Sequence, residues 1–259
     1  MSIARPLGID VGGSGIKGAP VNLDTGEFSQ ERLRIDTPKT STPEAVCDVI
    51  AKIVEHFDEV HDGSPIGVTI PGVVQHGVVK TAANIDKGWI DCEIEKLLED
   101  RLQHDVVVVN DADAAGVAEL HYGAAKGQHG LVVLTTLGTG IGTALIHDGV
   151  LIPNSELGHL EIGGVDAETV TASSVKTREG LSYEDWAPRL QRYYRHLEDL
   201  IWPDLIVVGG GVSKKSEKFL PLLDLRTPIV PAVLRNTAGI VGAAVLATAT
   251  QEKRGRRQA

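Results

Sequence analysis

The sequence predicts an α/β fold built twice over. A Gly-rich strand–turn–strand occurs at Ile9–Gly18 and again at Leu134–Thr143. The apolar runs Val106–Val109 and Leu205–Val208 have the character of strands buried on both faces. Between such runs lie segments whose apolar residues recur at helical spacing. One Gly-rich hairpin is a weak signal. Two of them, about half a chain apart, suggest a duplicated fold that grips a phosphate chain between its halves.

In the first half, residues 7–11 form a strand, and Lys17–Leu23 returns after the glycines. Asp24-Thr25-Gly26 is a turn, and Phe28–Ile35 is expected to be a third strand. Ser41-Thr42-Pro43-Glu44 starts a helix with a hydroxyl cap, a proline in the first turn and an early acid. Val46, Ile50, Ile53 and Phe57 make its buried stripe. Pro65–Ile70 is a short strand stopped by Pro71-Gly72. Ile90, Ile94, Leu97 and Leu98 mark a second helix, and Val106–Val109 the next strand.

The second half starts again. Ala112–Tyr122 is helical, and Leu131–Thr136 and Gly142–Ile146 flank the second hairpin. Ser182 caps a helix running to Ile201, with Glu184 and Asp185 near its positive end. Leu205–Val208 runs into Gly209-Gly210-Gly211. Ala238–Ala249 is a helix of small residues, suited to close packing. The boundary between domains falls near 110. That gives a smaller domain over 1–110 and a larger one over 111–259, with the last helix, about 238–250, packing back on the first.

Composition excludes several classes. The net charge is −10, so nucleic acid is not an expected partner, since its binding needs a basic face. No stretch reads as membrane-spanning. Cys47 and Cys92 are far apart and form neither a zinc pattern nor a disulfide framework, which fits a cytoplasmic protein. The basic tail Lys253–Arg257 is expected to be frayed and solvated.

Four segments could carry chemistry. Gly12, Gly13, Ser14 and Gly15 could present successive N–H groups to a phosphate. Asp10 precedes them within an apolar strand, where a carboxylate is costly unless it meets a cation or donors. It is a candidate Mg²⁺ ligand. Lys17 reads equally well as a phosphate contact or a solvated strand residue. Asn110-Asp111-Ala112-Asp113 sits where a buried strand becomes a helix, the end at which open sheets bind ligands. A helix cap is the plain alternative for its acids. A carboxylate there could take a hydroxyl proton as that oxygen attacks phosphorus. Glu156 and His159 flank Gly158 and could hold sugar hydroxyls; a surface turn is the alternative. Gly209, Gly210 and Gly211 are either a nucleotide contact or a tight turn, with Lys214, Lys215 and Lys218 just beyond.

In this order the four segments resemble the ROK family of the sugar kinase/actin/Hsp70 superfamily. Asp10–Lys17 looks like its first phosphate motif and Leu137–Gly142 like its second, with Gly138, Thr139 and Gly140 at the turn. Asn110–Asp113 resembles its catalytic segment and Glu156–His159 its ExGH sugar motif. Many members carry a CxCGxxGC zinc loop after ExGH. Residues 160–180 here contain no Cys, so zinc is not carried over. Within the family the nearest resemblance is to members that use inorganic polyphosphate. It rests on Gly8–Gly18, Thr42–Val46, Ala83–Trp89 and Leu181–Trp186.

The resemblance implies an actin-like (ribonuclease H-like) ATPase fold, two domains around a central cleft. It implies phosphorylation of glucose at O6 with Mg²⁺, and inorganic polyphosphate as donor, with ATP as an additional or alternative donor. Asp111 would be the general base. Asn110, Glu156, His159 and a third carboxylate, Glu168 in preference to Glu179, would bind the sugar. The two hairpins would bind phosphate, and Gly209–Gly211 an adenosine. The assembly would be a homodimer. The basic residues expected to attract the donor are Arg32, Arg34, Lys39, Lys80, Lys87, Lys214 and Lys215. Rival readings are an ATP-dependent kinase for glucose, mannose or an N-acetylhexosamine, and a sugar-sensing regulator. The regulator needs a helix-turn-helix ahead of the first strand, for which a strand starting near residue 7 leaves no room.

Overall fold

The computed structural model describes residues 5–57, 64–82 and 86–258. The chain divides into two compact units, Met1–Ala118 with Thr237–Ala259, and Glu119–Asn236.

The first unit is built on a six-stranded sheet. Strands β1 (Leu7–Gly12) and β2 (Gly15–Asn22) form the first Gly-rich hairpin, with Asp10 opposite Lys17 and Gly12 opposite Gly15. On the other side of β1, strands β5 (Ile66–Ile70) and β8 (Val106–Asn110) add in parallel. Residues 27–35 do not make the single strand expected of them. A bend at Ser29-Gln30 splits them into β3 (Glu27–Phe28) and β4 (Leu33–Ile35), both paired with β2. A short hairpin of β6 (Val74–Gln75) and β7 (Val78–Val79) follows β5.

Helix α1 (Pro43–His56) starts at Thr42, whose side chain accepts from the Ala45 N–H. Its neighbour Ser41 offers its carbonyl to the buried Trp89 indole at 2.7 Å. Helix α2 (Ile94–Leu102) begins later than the apolar spacing suggests. Lys87–Trp89 is a 3₁₀ turn, and Ile90 is exposed rather than part of the stripe. The motif residues Ala83, Asn84 and Ile85 lie outside the described residues. Helix α3 (Asp111–Tyr122) continues directly from β8. Ala112, Ala114, Val117 and Ala118 are buried, so its first turns belong to the first unit. The chain therefore crosses to the second unit inside α3, not between Asn110 and Asp111.

The second unit repeats the arrangement. Strands β9 (Leu131–Leu137) and β10 (Ile141–His147) form the second hairpin, and β11 (Val150–Ile152) pairs with β10. Strands β12 (Leu205–Gly209) and β13 (Ile229–Pro231) add in parallel on the β9 side. In both sheets the first hairpin strand is central, with the return strand on one side and two parallel strands on the other. Short helices α4 (Ala167–Thr171) and α5 (Ser173–Arg178) precede α6 (Tyr183–Ile201). Ser182 caps α6 by accepting the Asp185 N–H at 3.0 Å. Trp186, Leu190, Tyr193, Tyr194 and Leu197 recur along it at helical spacing and are fully buried.

Helix α7 (Ala238–Gln258) belongs to the first unit and lies on its sheet. Contact there is backbone to backbone. A Cβ on Gly8 would overlap the Ile240 carbonyl, one on Gly67 the Ala243 carbonyl, and one on Gly242 the Ala114 carbonyl. This is why a helix of small residues closes the chain. The basic tail is helical rather than frayed through Gln258. Arg254 pairs with Glu95 at 3.4 Å and Glu99 at 3.8 Å, both on α2. Among the described residues, no helix is long and apolar enough to cross a membrane.

Candidate active site

In the first unit, the strand pairing supplies what Asp10 needs. Register puts Lys17 across the hairpin, with Nζ 3.5 Å from Asp10 Oδ2. From β5, the Thr69 hydroxyl donates to Asp10 Oδ1 at 3.1 Å while accepting the Val11 N–H at 3.3 Å. Nothing in the sequence pointed to Thr69, which is fully buried. Gly13 and Ser14 are the exposed tip. A Cβ on Gly13 would meet no atom within 4 Å, and its φ is not positive. That glycine leaves room above the backbone rather than a special turn. Arg34 donates to the Ser14 carbonyl at 2.7 Å and pairs with Asp36 at 2.8 Å.

The β8–α3 junction shows which side chain caps the helix. Asn110 does the capping: its Oδ1 accepts from Ala112 N at 2.8 Å and Asp113 N at 3.0 Å. Its Nδ2 donates to the Gly72 carbonyl at 3.1 Å. With Oδ1 doubly engaged, one amide N–H is left for a ligand. Asp111 is half-buried at the helix start, with Oδ1 2.8 Å from Ala112 N. Asp113 is buried.

In the second unit, Glu156, His159 and Glu168 come together at the second hairpin. Leu157–His159 is a 3₁₀ turn tied to β10, with Thr143 Oγ1 accepting the Leu157 N–H at 3.1 Å and donating to the Ser155 carbonyl at 2.8 Å. A Cβ on Gly158 would overlap the Ile141 carbonyl, so the ExGH glycine is a packing requirement. His159 Nε2 is 3.9 Å from Glu156 Oε2. His159 Nδ1 is 2.9 Å from Asp166 Oδ2. Glu168 accepts the Ile141 N–H at 2.7 Å. Burial pushes the Glu156 carboxyl above its usual range; His159 opposes this and Glu168 adds to it. The hydrogen bond to Asp166 raises the His159 imidazole above its ordinary value, with Glu168 and Glu156 adding to the effect against burial.

Glu179 is engaged elsewhere. It binds Arg189 at 2.7 Å and Arg178 at 3.5 Å, and the Arg189 hydrogen bond holds its carboxyl below the usual range. Asp166 escaped sequence reading. An Asp two residues before Glu168 has a cap signature, but its pairing with His159 needs the tertiary fold.

Gly138–Gly140 forms the loop of the second hairpin. Ser174 N donates to the Gly138 carbonyl at 3.0 Å and Ser174 Oγ to the Thr139 carbonyl at 2.6 Å. Gly210 takes φ 80° and seats against the end of β9, where a Cβ would overlap the Leu137 backbone. Gly211 faces open space. A kinked 3₁₀ segment, Gly211–Lys218, follows in place of an α-helix. Lys214 and Lys215 are exposed on it. Lys218 and Lys176 lie 5.9 and 4.2 Å from the Tyr183 ring. Of the other basic residues, Lys80 is paired with Asp91 at 2.8 Å.

The family model described as "ROK family" matches residues 6–171. The chain belongs to the ROK family. A polyphosphate glucokinase of Mycobacterium tuberculosis (strain CDC 1551 / Oshkosh) is 54% identical over 244 residues, covering 94% of this chain and 91% of that protein. The crystal structure of an inorganic polyphosphate/ATP-glucomannokinase from Arthrobacter sp. strain KM is 53% identical, with TM-score 0.91, covering 96% and 99%. That of a ROK family glucokinase from Streptomyces griseus, in complex with glucose and AMPPNP, is 25% identical with TM-score 0.81, covering 94% and 99%. The fold is therefore the actin-like one of the ROK sugar kinases, and the two repeated sheets are its two halves.

Proposed function

We propose that the chain is a polyphosphate-dependent glucokinase, transferring a phosphoryl group from inorganic polyphosphate to O6 of glucose to give glucose 6-phosphate. The observation that carries this is 54% identity along 94% of the chain to a polyphosphate glucokinase. The enzyme is a phosphotransferase with an alcohol group as acceptor. ATP is a second donor and mannose a second acceptor to be tried, since the Arthrobacter protein is described as a polyphosphate/ATP-glucomannokinase.

Asp111 accepts the O6 proton as that oxygen attacks phosphorus. Asn110 has the cap to hold and one N–H to offer, so its contribution to the sugar is a single donated bond. Glu156, His159 and Glu168 take the remaining hydroxyls; a carboxylate accepts two, and an imidazole flanked by carboxylates accepts or donates as its proton allows. The hairpin backbones at Gly12–Gly15 and Gly138–Gly140 receive phosphate oxygens through N–H groups, and Lys17 adds charge at the first. Gly211, with open space beside it, is the member of Gly209–Gly211 best placed to approach a nucleotide.

As a kinase the chain works with a divalent cation, and Mg²⁺ fits the residues at the first hairpin. Asp10 is a single hard carboxylate, and Mg²⁺ takes most of its ligands from phosphate oxygens and water. When bound, it would neutralise charge on the phosphates. Homodimer formation and a cytoplasmic location complete the reading. The test is a coupled glucose 6-phosphate assay with polyphosphate and with ATP in parallel. Product from ATP and none from polyphosphate would overturn the donor assignment.

A further inference from the structure

We infer that Asp166 is the positioning residue of the sugar site: it fixes His159 with Nδ1 protonated, so that Nε2 and Glu156 address the sugar hydroxyls together. This rests on the proposal that Glu156 and His159 bind glucose.

Geometry carries the argument. Asp166 Oδ2 stands 2.9 Å from Nδ1. An ionised carboxylate can only accept, so the proton must sit on Nδ1 and the tautomer is decided. In the neutral ring Nε2 is then an acceptor.

Asp166 is itself held. Its Oδ1 accepts the Glu168 N–H at 2.9 Å and caps α4. Its backbone bridges to Glu161, and the flanking bonds Ile162 N to Val165 O and Ala167 N to Leu160 O are both 2.9 Å. The turn that closes this loop uses Gly163 and Gly164 at φ 67° and 77°, a conformation that costs glycine little. Arg192 from α6 donates to the Ile162 carbonyl at 3.0 Å. The loop thus closes on itself through backbone bonds and delivers one carboxylate to the imidazole.

The same cap sets the start of α4 and so directs Glu168 onto Ile141 N. One side chain orients two of the three sugar ligands in this unit. The charged groups around His159 are Glu156 on its own turn, Asp166 at the head of α4 and Glu168 on α4, all acidic. They favour the imidazolium, consistent with its raised value.

The test is Asp166→Asn. The amide oxygen can still cap Glu168 N, while its N–H₂ faces Nδ1 and reverses the tautomer. NMR of histidine-labelled enzyme, with the His159 signal assigned by its loss in His159→Gln, should show the midpoint falling toward 6.5. The glucose KM should rise at least about tenfold, the lower end of what one hydrogen bond to a charged group is worth. kcat should stay within about threefold, because Asp166 touches no reacting atom. An unchanged His159 midpoint in Asp166→Asn overturns the inference. If that variant does not fold, long-range ¹⁵N–¹H couplings in the parent decide, read at a pH above the His159 midpoint where the ring is neutral: the proton on Nδ1 supports it and the proton on Nε2 overturns it. A shifted midpoint with glucose KM flat in both Asp166→Asn and His159→Gln would instead overturn the sugar assignment and leave the Asp166–His159 pair standing.

Discussion

Gly140→Ala, set against Gly138→Ala, separates folding from the proposed donor binding at the second hairpin. A Cβ on Gly140 would overlap Glu168 Oε2, the far end of a flexible side chain. The backbone can therefore stay while the carboxylate moves. What is lost is the bond from Ile141 N to Glu168 Oε2, 2.7 Å long and part-buried. A hydrogen bond to a charged group contributes about 1.5–3 kcal/mol. In a chain of this size that corresponds to roughly 4–10 °C in Tm. Glu168 also leaves Glu156 and His159, so the glucose KM should rise about tenfold along with the donor KM.

Gly138→Ala is the matched control. Its Cβ would meet nothing within 4 Å and its φ is not positive. It should melt with the parent and impair only the donor side. Thermal melts and steady-state KM values for glucose and polyphosphate measure all of this. Gly140→Ala melting within about 1 °C of the parent, with its glucose KM unchanged, would refute the reasoning.

Asp111→Asn keeps shape and hydrogen bonding but removes the proposed base. Turnover should fall by at least ~10² with glucose affinity nearly unchanged, measured by the coupled assay and by glucose titration. The apparent KM for polyphosphate should rise steeply with salt while that for glucose stays flat, because screening shortens the reach of exposed charges to ~8–10 Å. Replacing the exposed Lys214 and Lys215 by Ala should flatten the slope, and an unaltered slope would place the donor elsewhere. Burial pushes the Cys47 thiol up to about 12, so it should resist iodoacetamide at pH 8 until the chain is unfolded, as mass spectrometry of timed samples would show.

Local chemistry is written in the sequence wherever the partners are near neighbours or the pattern repeats. The two Gly-rich hairpins, the Thr42 and Ser182 caps, the apolar stripe of α1 and the doubly buried strands β8 and β12 are all of this kind. So are the four family motifs, because their spacing along the chain is the signal itself. The small residues of α7 announced close packing, though not the sheet they would meet.

Tertiary structure decided the rest, through pairings between residues far apart in sequence. Thr69 reaches Asp10 only because β5 lies parallel to β1. Ile90 is exposed because the chain makes a 3₁₀ turn before α2 begins, a choice that apolar spacing cannot register. The basic tail is helical because Glu95 and Glu99 stand beside it. Glu119, buried near the boundary of the units, is satisfied by N–H groups of Val233 and Leu234, more than a hundred residues away. Asn110 also donates to the Gly72 carbonyl on the neighbouring strand's exit, and Asp166 meets His159 only because the loop between them closes on itself. A polar side chain's role depends on which donor or acceptor the fold brings within hydrogen-bond distance, and a sequence carries the side chain but not that distance.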